Sequence, residues 1–275
     1  MQLGRSRRSG NVVDARGGGR GLGIGLGGLV IVLIGLFFGV DLSGIVGLSG
    51  GGGGSASVAP ADGADRGNDF LMAVLGETED VWGGIFQASG SQYPAPTLVR
   101  FEGMTQSACG TAQTATGPFY CPLDQRIYMD LSFLRELERM GASGDFAAAY
   151  VIAHEVGHHV QNVQGILPAV QDRQRLLPEA QANQLSVRVE LMADCYAGVW
   201  AFHADRERDI LEPGEETEGL QAAAAVGDDN LQQMAGRAVA PESFTHGSSQ
   251  QRIDAFRTGF RTGDPGACDT FNASR

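Results

Sequence analysis

The stretch that decides the fold runs from Ala148 to Ile166 and reads AAYVIAHEVGHHVQNVQGI. It places three of the chain's five histidines and one glutamate within six residues of an otherwise apolar run. Residues four apart project from the same side of a helix, so His154 and His158 can point at one metal ion. Glu155 lies about 100° around the helix from His154, near such an ion but outside its ligand set. The pattern His-Glu-x-x-His therefore predicts a metal-binding helix rather than a plain core helix.

A catalytic zinc site needs a third protein ligand and an open position for water. The metzincin pattern, which continues with a glycine and a third histidine, fails because Gln161 and Gln164 hold those positions. Downstream, the segment ELMAD supplies Glu190 and Asp194, four residues apart, as in the glutamate-liganded zincins. We expect Glu190 to bind the metal and Asp194 to accept the free ring N–H of a ligand histidine. The alternative, a solvated acidic helix face, fits poorly because the neighbouring residues are mostly apolar.

The remaining histidines receive weaker assignments. His159 lies about 100° further round the helix than His158, which favours a supporting or packing role over ligation. His246, in SFTHGSSQQR, is the preferred donor to the oxyanion of the reaction, with Arg252 as a weaker candidate. The alternative for His246 is a loop histidine without a role, and His203 is interpreted as a surface or core residue.

Together these residues predict a zinc-dependent peptidase. One Zn²⁺ per chain would be held by His154, His158 and Glu190, three ligands that leave a position for water. Glu155 would serve as the general base for the attacking water. The expected substrate is a protein or peptide.

An apolar segment near the N terminus predicts a membrane anchor. Residues 21–40 read GLGIGLGGLVIVLIGLFFGV, without a charge, and as a helix would span about 30 Å, the thickness of a hydrocarbon core. Five arginines precede this segment and favour a cytoplasmic N terminus. We therefore expect a single-pass protein of the cell membrane with an extracytoplasmic catalytic domain. A signal peptide cleaved near Ser57–Ala59 is the alternative.

The charge pattern argues against nucleic acid as a partner. The chain has 20 basic and 32 acidic residues, for a net charge of −12. Beyond residue 48 the acids outnumber the arginines two to one and no basic stripe is present, so a phosphate backbone would be repelled. The expected partners are a protein or peptide substrate and the membrane, through the N-terminal helix.

The expected organisation combines a membrane segment with one catalytic domain. Its parts are a basic cytoplasmic tail (1–20), a transmembrane helix (21–48), a flexible Gly/Ser/Ala linker (49–68) and the zinc metallopeptidase domain (69–275). Helical spacing predicts long helices over residues 144–165, capped by Asp145, and 183–208. Short strands are predicted at residues 96–103 and 125–131. The predicted fold class is therefore α+β, mainly helical and zincin-like with a small sheet, preceded by one transmembrane helix.

Four cysteines in a segment expected outside the cytoplasm predict two disulfide bonds. No C-x-x-C spacing is present, which disfavours a structural zinc site or a redox dithiol. Three pairings are possible, and four buried free thiols in a reducing compartment are the alternative. The favoured pairing is Cys109–Cys121 with Cys195–Cys268.

The chain resembles the neutral zinc metallopeptidase family of bacteria over roughly residues 65–271. The similar segments are more specific than His-Glu-x-x-His alone and include TEDVWGGIF, ACGTAQTATGPFYCPLDQRIYMDLSF, LSVRVELMADCYAGVWA and FTHGSSQQRIDAFRTGF. The resemblance implies a zinc-dependent peptidase that uses His154, Glu155, His158 and Glu190, commonly with an N-terminal membrane anchor. Met192 stands where we expect glutamine in this family, at a position that should point away from the metal.

Two other functions fit the same motifs. A non-catalytic extracytoplasmic binding domain could keep a zinc-peptidase fold and its ligands, but it would not need Glu155. A zinc hydrolase of a cell-envelope amide would apply the same residues to a different bond. The presence of Glu155 favours a membrane-anchored zinc peptidase over the binding domain.

Overall fold

The computed structural model of the chain describes residues 1–16, 59–60, 66–113 and 116–272. These residues form a mainly helical α+β fold with two small sheets. The strands are β1 (Val12–Asp14), β2 (Ala59–Pro60), β3 (Thr97–Phe101), β4 (Met104–Ser107), β5 (Gly110–Gln113), β6 (Phe119–Cys121) and β7 (Arg126–Asp130). The α-helices are α1 (Arg66–Ala88), α2 (Ser132–Arg139), α3 (Asp145–Val163), α4 (Ile166–Gln174), α5 (Glu179–Arg208), α6 (Glu215–Ala225), α7 (Asp228–Met234) and α8 (Ser249–Thr262). Short 3₁₀-helices cover Leu3–Arg5, Pro241–Ser243 and Pro265–Cys268.

The larger sheet separates two packed layers. Its strand order is β2-β1-β3-β7-β6, with β1, β3 and β7 parallel and with β2 and β6 antiparallel to their neighbours. Side chains alternate between the two faces of a strand. Leu98 and Ile127 accordingly join the helical core, whereas Val99 and Tyr128 join a smaller cluster with β5 of the β4–β5 hairpin.

Helix α3 is the central helix of the core. Nearly every residue from Phe146 to Gln161 is buried, as expected for a helix that is apolar on all sides. Its aromatic neighbours include Trp200 of α5, which stacks on Phe146, and Phe256 of α8, which meets Tyr150 edge to face. The polar residues of α3 are therefore buried as well and need partners inside the protein.

The two predicted disulfide bonds are confirmed, in the favoured pairing. Cys109–Cys121 joins the β4–β5 hairpin to β6, with the Cα atoms 5.7 Å apart. Cys195–Cys268 joins α5 to the 3₁₀-helix after α8, with the Cα atoms 5.5 Å apart. The second bond therefore secures the C-terminal end of the described chain against the helix that carries Glu190.

The N-terminal residues are part of the same folded unit. Strand β1 lies inside the larger sheet, between β2 and β3. Ser9 is completely buried, donates its backbone N–H to the carbonyl oxygen of Met72 at 2.9 Å and donates its hydroxyl to Glu79 at 2.6 Å. Arg8 pairs with Asp69 through two hydrogen bonds of 2.7 Å. The N-terminal tail thus packs on helix α1 of the domain.

This packing corrects the membrane topology expected from the sequence. The predicted transmembrane segment, 21–48, lies outside the described residues, and no helix within them is long and apolar enough to cross a membrane. The prediction of a cytoplasmic N terminus and an extracytoplasmic catalytic domain is wrong, because residues 1–14 fold together with the domain that carries the predicted metal ligands. The fold class is corrected accordingly: the described residues form a mainly helical α+β fold with small sheets, and no membrane-spanning helix is among them.

The element boundaries differ locally from the prediction. Most of the predicted linker 49–68 also lies outside the described residues, but Ala59–Pro60 form β2 and α1 begins at Arg66. Asp145 is the first residue of α3 rather than its N-cap, a position held by Gly144 at a φ of 110°. A non-glycine residue rarely adopts that φ, so the backbone at the start of α3 favours glycine.

Candidate metal centre

Helices α3 and α5 cross at the residues that the sequence predicts as metal ligands. Gly157 permits the crossing, because a Cβ there would lie 2.9 Å from the carbonyl oxygen of Ala193. The close approach brings Glu190 against both rings: Oε2 lies 3.2 Å from Nε2 of His154, and Oε1 lies 3.4 Å from Nε2 of His158. One potential ligand atom from each of the three residues lies within 4.8 Å of the others.

Each of these histidines is oriented through its second ring nitrogen. Nδ1 of His154 lies 2.8 Å from Oδ1 of Asp194. Nδ1 of His158 lies 3.0 Å from Oε1 of Gln161, whose amide group donates to the carbonyl oxygen of Val189 at 2.7 Å. Because a carboxylate and an amide oxygen only accept, both Nδ1 atoms carry a proton. In the neutral rings the lone pairs are therefore on Nε2, the atoms that face Glu190.

The electrostatics of this cluster favour a cation. Burial acts to lower the pKa of His154, but the carboxylates of Asp194 and Glu190 raise that pKa to about 10. Burial acts to raise the pKa of Glu190, but His158 and His154 hold it well below its usual range. The cluster therefore attracts positive charge, which either a proton on Nε2 of His154 or a metal ion can supply. Imidazole and carboxylate are ordinary zinc ligands, so the three residues fit Zn²⁺.

Glu155 lies beside the cluster without belonging to it. Its side chain is buried, and burial raises the pKa of its carboxyl group although the charges of His158 and His154 oppose the rise. A hydrogen bond from the backbone N–H of Tyr120, in strand β6, also acts to lower the pKa of this carboxyl group. Glu155 is thus a buried acid with raised proton affinity next to a potential metal site, a combination typical of catalytic groups.

His246 is held in its loop by a carboxylate that the sequence analysis did not identify. Oδ1 of Asp228 lies 2.9 Å from Nδ1 of His246. Oδ2 of Asp228 accepts the backbone N–H groups of Thr245, His246 and Gly247 at 2.8, 2.7 and 3.0 Å. His246 is among the groups that act to lower the pKa of Glu190, so its loop is within electrostatic range of the cluster. No local pattern connects Asp228 with His246, because they are 18 residues apart.

Arg252, the weaker candidate for the oxyanion donor, is buried and hydrogen-bonded within the protein. The residue is 3% exposed, and its guanidinium group is hydrogen-bonded to the Asp194 carboxylate. It donates to both oxygens of Asp194, at 2.8 and 2.9 Å. Arg252 is therefore engaged within the protein core.

The two other histidines have partners outside the cluster. His159 is completely buried, with Nε2 at the carbonyl oxygen of Pro94 and Nδ1 3.0 Å from the hydroxyl of Tyr120. Because a carbonyl only accepts, Nε2 carries the proton and Nδ1 accepts the Tyr120 hydroxyl. His203 lies 2.8 Å from the carbonyl oxygen of Gly263. Both therefore have structural contacts in the described chain.

A helix with His-Glu-x-x-His, crossed by a helix that supplies a glutamate, is an arrangement of zinc metallopeptidases. The chain belongs to the family described as "Putative neutral zinc metallopeptidase", whose family model matches residues 1–271. This confirms the family resemblance found in the sequence.

Several bacterial relatives are similar over much of their length. A protein of Escherichia coli strain K12 named "Uncharacterized protein YpfJ" is 45% identical over 281 residues, which cover 98% of this chain and 98% of the relative. "Uncharacterized protein Mb2605" of Mycobacterium bovis is 41% identical over 223 residues, 77% of this chain and 74% of the relative. No solved structure gives a significant match.

Proposed function

We propose that this protein is a zinc-dependent peptidase that hydrolyses peptide bonds. The observation that carries the proposal is the position of Glu155, a buried carboxylate beside the His154–His158–Glu190 cluster that is not needed to hold a metal. A binding domain that kept zinc for stability would gain nothing from this carboxylate, whose burial is costly. The family description supports both the metal and the reaction class.

Zinc would be held by Nε2 of His154, Nε2 of His158 and a carboxylate oxygen of Glu190, one ion per chain. When bound, zinc acts as a Lewis acid and lowers the pKa of a coordinated water toward ~7. Asp194 and Gln161 hold the two imidazoles in the tautomer that leaves Nε2 for the metal.

Glu155 would act as the general base and then as the general acid. Burial raises the pKa of its carboxyl group, which brings its proton affinity closer to that required near neutral pH. The carboxylate takes a proton from the attacking water and passes it to the nitrogen of the leaving amine.

His246 would stabilise the negative charge that develops on the carbonyl oxygen of the substrate. With Nδ1–H donated to Asp228, the opposite nitrogen Nε2 is the one that can donate to a substrate when the ring is protonated. The Asp228 carboxylate fixes both the ring and the backbone of its loop, so the donor is held in position before the substrate binds.

Strand β6 offers a means of binding an extended peptide. Within the described residues it pairs with β7 along one edge, and the backbone N–H of Tyr120 lies near Glu155. An extended peptide can add to an edge strand through main-chain hydrogen bonds, independently of its side chains. A substrate aligned along β6 would pass beside the proposed base, which favours a peptide over a compact amide.

Substituting alanine for His246 tests the proposal. We expect the wild-type protein to hydrolyse a denatured protein substrate and the His246→Ala variant to show a kcat lower by about 10²–10³-fold. Zinc content should stay unchanged, because His246 is not in the ligand cluster. The matched control is His203→Ala, which removes a histidine bonded to Gly263. Wild-type turnover in His246→Ala would remove this residue from the mechanism, and an inactive wild-type protein with zinc bound would refute the peptidase proposal.

A further inference from the structure

We propose that Arg252 is a positioning residue of the metal site, which fixes the Asp194 carboxylate so that His154 keeps the ring orientation needed for zinc. The inference rests on the proposed function, since it gives Arg252 a role in zinc binding. Arg252 does not touch the ligand atoms of the cluster, so its effect would be transmitted through Asp194.

The guanidinium group of Arg252 makes a two-point contact with one carboxylate. Nε donates to Oδ2 of Asp194 at 2.8 Å and Nη2 donates to Oδ1 at 2.9 Å. Nη2 also lies 3.3 Å from the hydroxyl of Tyr150 and 3.4 Å from Nδ1 of His154. Nη1 donates to the carbonyl oxygen of Val226, at the end of α6, at 3.1 Å. The guanidinium is thus held on all three nitrogens.

A two-point contact fixes the plane of the carboxylate as well as its place. Oδ1 of Asp194, the atom that meets Nδ1 of His154 at 2.8 Å, also receives the hydroxyl of Tyr150 at 2.5 Å. If the carboxylate turned, the contact to His154 would lengthen and the ring could rotate away from the other ligands. Water cannot replace the lost contacts, because the four side chains of this network are buried: those of Tyr150, His154, Asp194 and Arg252.

Arg252 also joins the two halves of the proposed catalytic site. It belongs to the first turn of α8, whose N terminus is closed by a capping box between Ser248 and Gln251. The loop that carries His246 ends at that cap. The Arg252–Asp194 pair therefore ties α8 to α5 at the level of the ligand His154. This places the metal-binding half and the His246 half in a fixed relation.

Zinc affinity tests the role of Arg252 separately from activity. Arg252→Gln and Arg252→Lys are compared with the wild-type full-length chain by chelator competition, after far-UV circular dichroism shows that each is folded. Loss of a residue that supports a ligand weakens metal binding by about 10–100-fold, so we expect that loss in Arg252→Gln. Arg252→Lys should show a smaller loss of zinc affinity, since lysine keeps the positive charge but not the two-point contact. The control is Arg257→Gln, an arginine of the same helix that is 41% exposed.

A second readout reports the ligand geometry. The visible absorption of the Co²⁺-substituted protein should change in Arg252→Lys and stay unchanged in Arg257→Gln. If Arg252→Gln does not fold, Arg252→Lys decides the question. Wild-type zinc affinity and an unaltered Co²⁺ spectrum in a folded Arg252 variant would overturn the inference while leaving the peptidase proposal intact. A wild-type chain that binds no zinc would instead refute the proposed function on which the inference rests.

Discussion

Glu155→Gln is expected to abolish peptide hydrolysis while zinc remains bound. Glutamine fills the same buried position, but its amide group cannot take a proton from water. Loss of a general base of this kind lowers kcat by about 10²–10⁴-fold. Glu155 is 7% exposed and is not part of the ligand cluster, so the substitution leaves the metal-binding residues in place. The combination of lost turnover and retained metal separates a base from a ligand.

The matched control for this prediction is Glu242→Gln. Glu242 is an exposed carboxylate in the 3₁₀-helix just before the His246 loop, so its substitution removes one negative charge from the same region. We expect turnover in this variant to remain close to that of the wild type. The value of kcat and the zinc content are measured on the same preparations with one peptide substrate. Substantial activity in Glu155→Gln would show that another group accepts the proton.

Gly76→Ala is expected to detach the N-terminal residues from helix α1. A Cβ at Gly76 would lie 2.2 Å from the carbonyl oxygen of Arg7, a distance that the backbone cannot accommodate without moving. The movement would break the contacts of Ser9 with Met72 and Glu79. Overpacking of this kind lowers the free energy of unfolding by about 1–3 kcal/mol.

Gly84→Ala is the matched control in the same helix. A Cβ at Gly84 would meet no atom within 4 Å apart from the neighbouring backbone of its own helix. Alanine should therefore raise the free energy of unfolding by up to about 1 kcal/mol, through its higher helix propensity. Both variants are measured by denaturant unfolding, together with the rate at which a protease cleaves after Arg7 or Arg8. Equal stability and equal protection of the two variants would mean that the N-terminal residues do not dock on α1.

The centre of the site could be predicted because its signals are local. His154, Glu155 and His158 lie on little more than one turn of a helix, so their relative directions follow from helix geometry. Glu190 and Asp194 lie on another helix, but their apolar neighbours indicated burial, and a buried carboxylate pair requires compensation. The helix assignments alone gave no distance between the two helices, which depends on the contact of Gly157 with Ala193.

The supporting residues could not be predicted because their contacts are long-range. Asp228 meets His246 across 18 residues, and Arg252 meets Asp194 across 58. Gln161 was noted as a departure from the metzincin pattern, whereas in the fold it is the partner of His158. Side-chain partners of this kind are set by tertiary packing, which leaves no periodic pattern in the sequence.

The same limit explains the error in membrane topology. The prediction used the composition of residues 21–40 and the arginines before them, both of which are local features. Strand β1 contains only three residues, and its parallel pairing with β3 joins Val13 to Val99. So short a strand gives no sequence signal, although it joins the N-terminal tail to the domain that carries the candidate metal site.

The most direct test of the account is metal analysis of the purified chain beside His158→Ala. His158 supplies one of the three potential ligands, while its partner Gln161 stays in place through its bond to Val189. The account predicts one zinc ion per wild-type chain, removable by a chelator and restored by added Zn²⁺, and a large loss of zinc affinity in His158→Ala. A folded wild-type chain that neither contains nor rebinds zinc, or a His158→Ala variant that binds it as tightly as the wild type, would contradict the account.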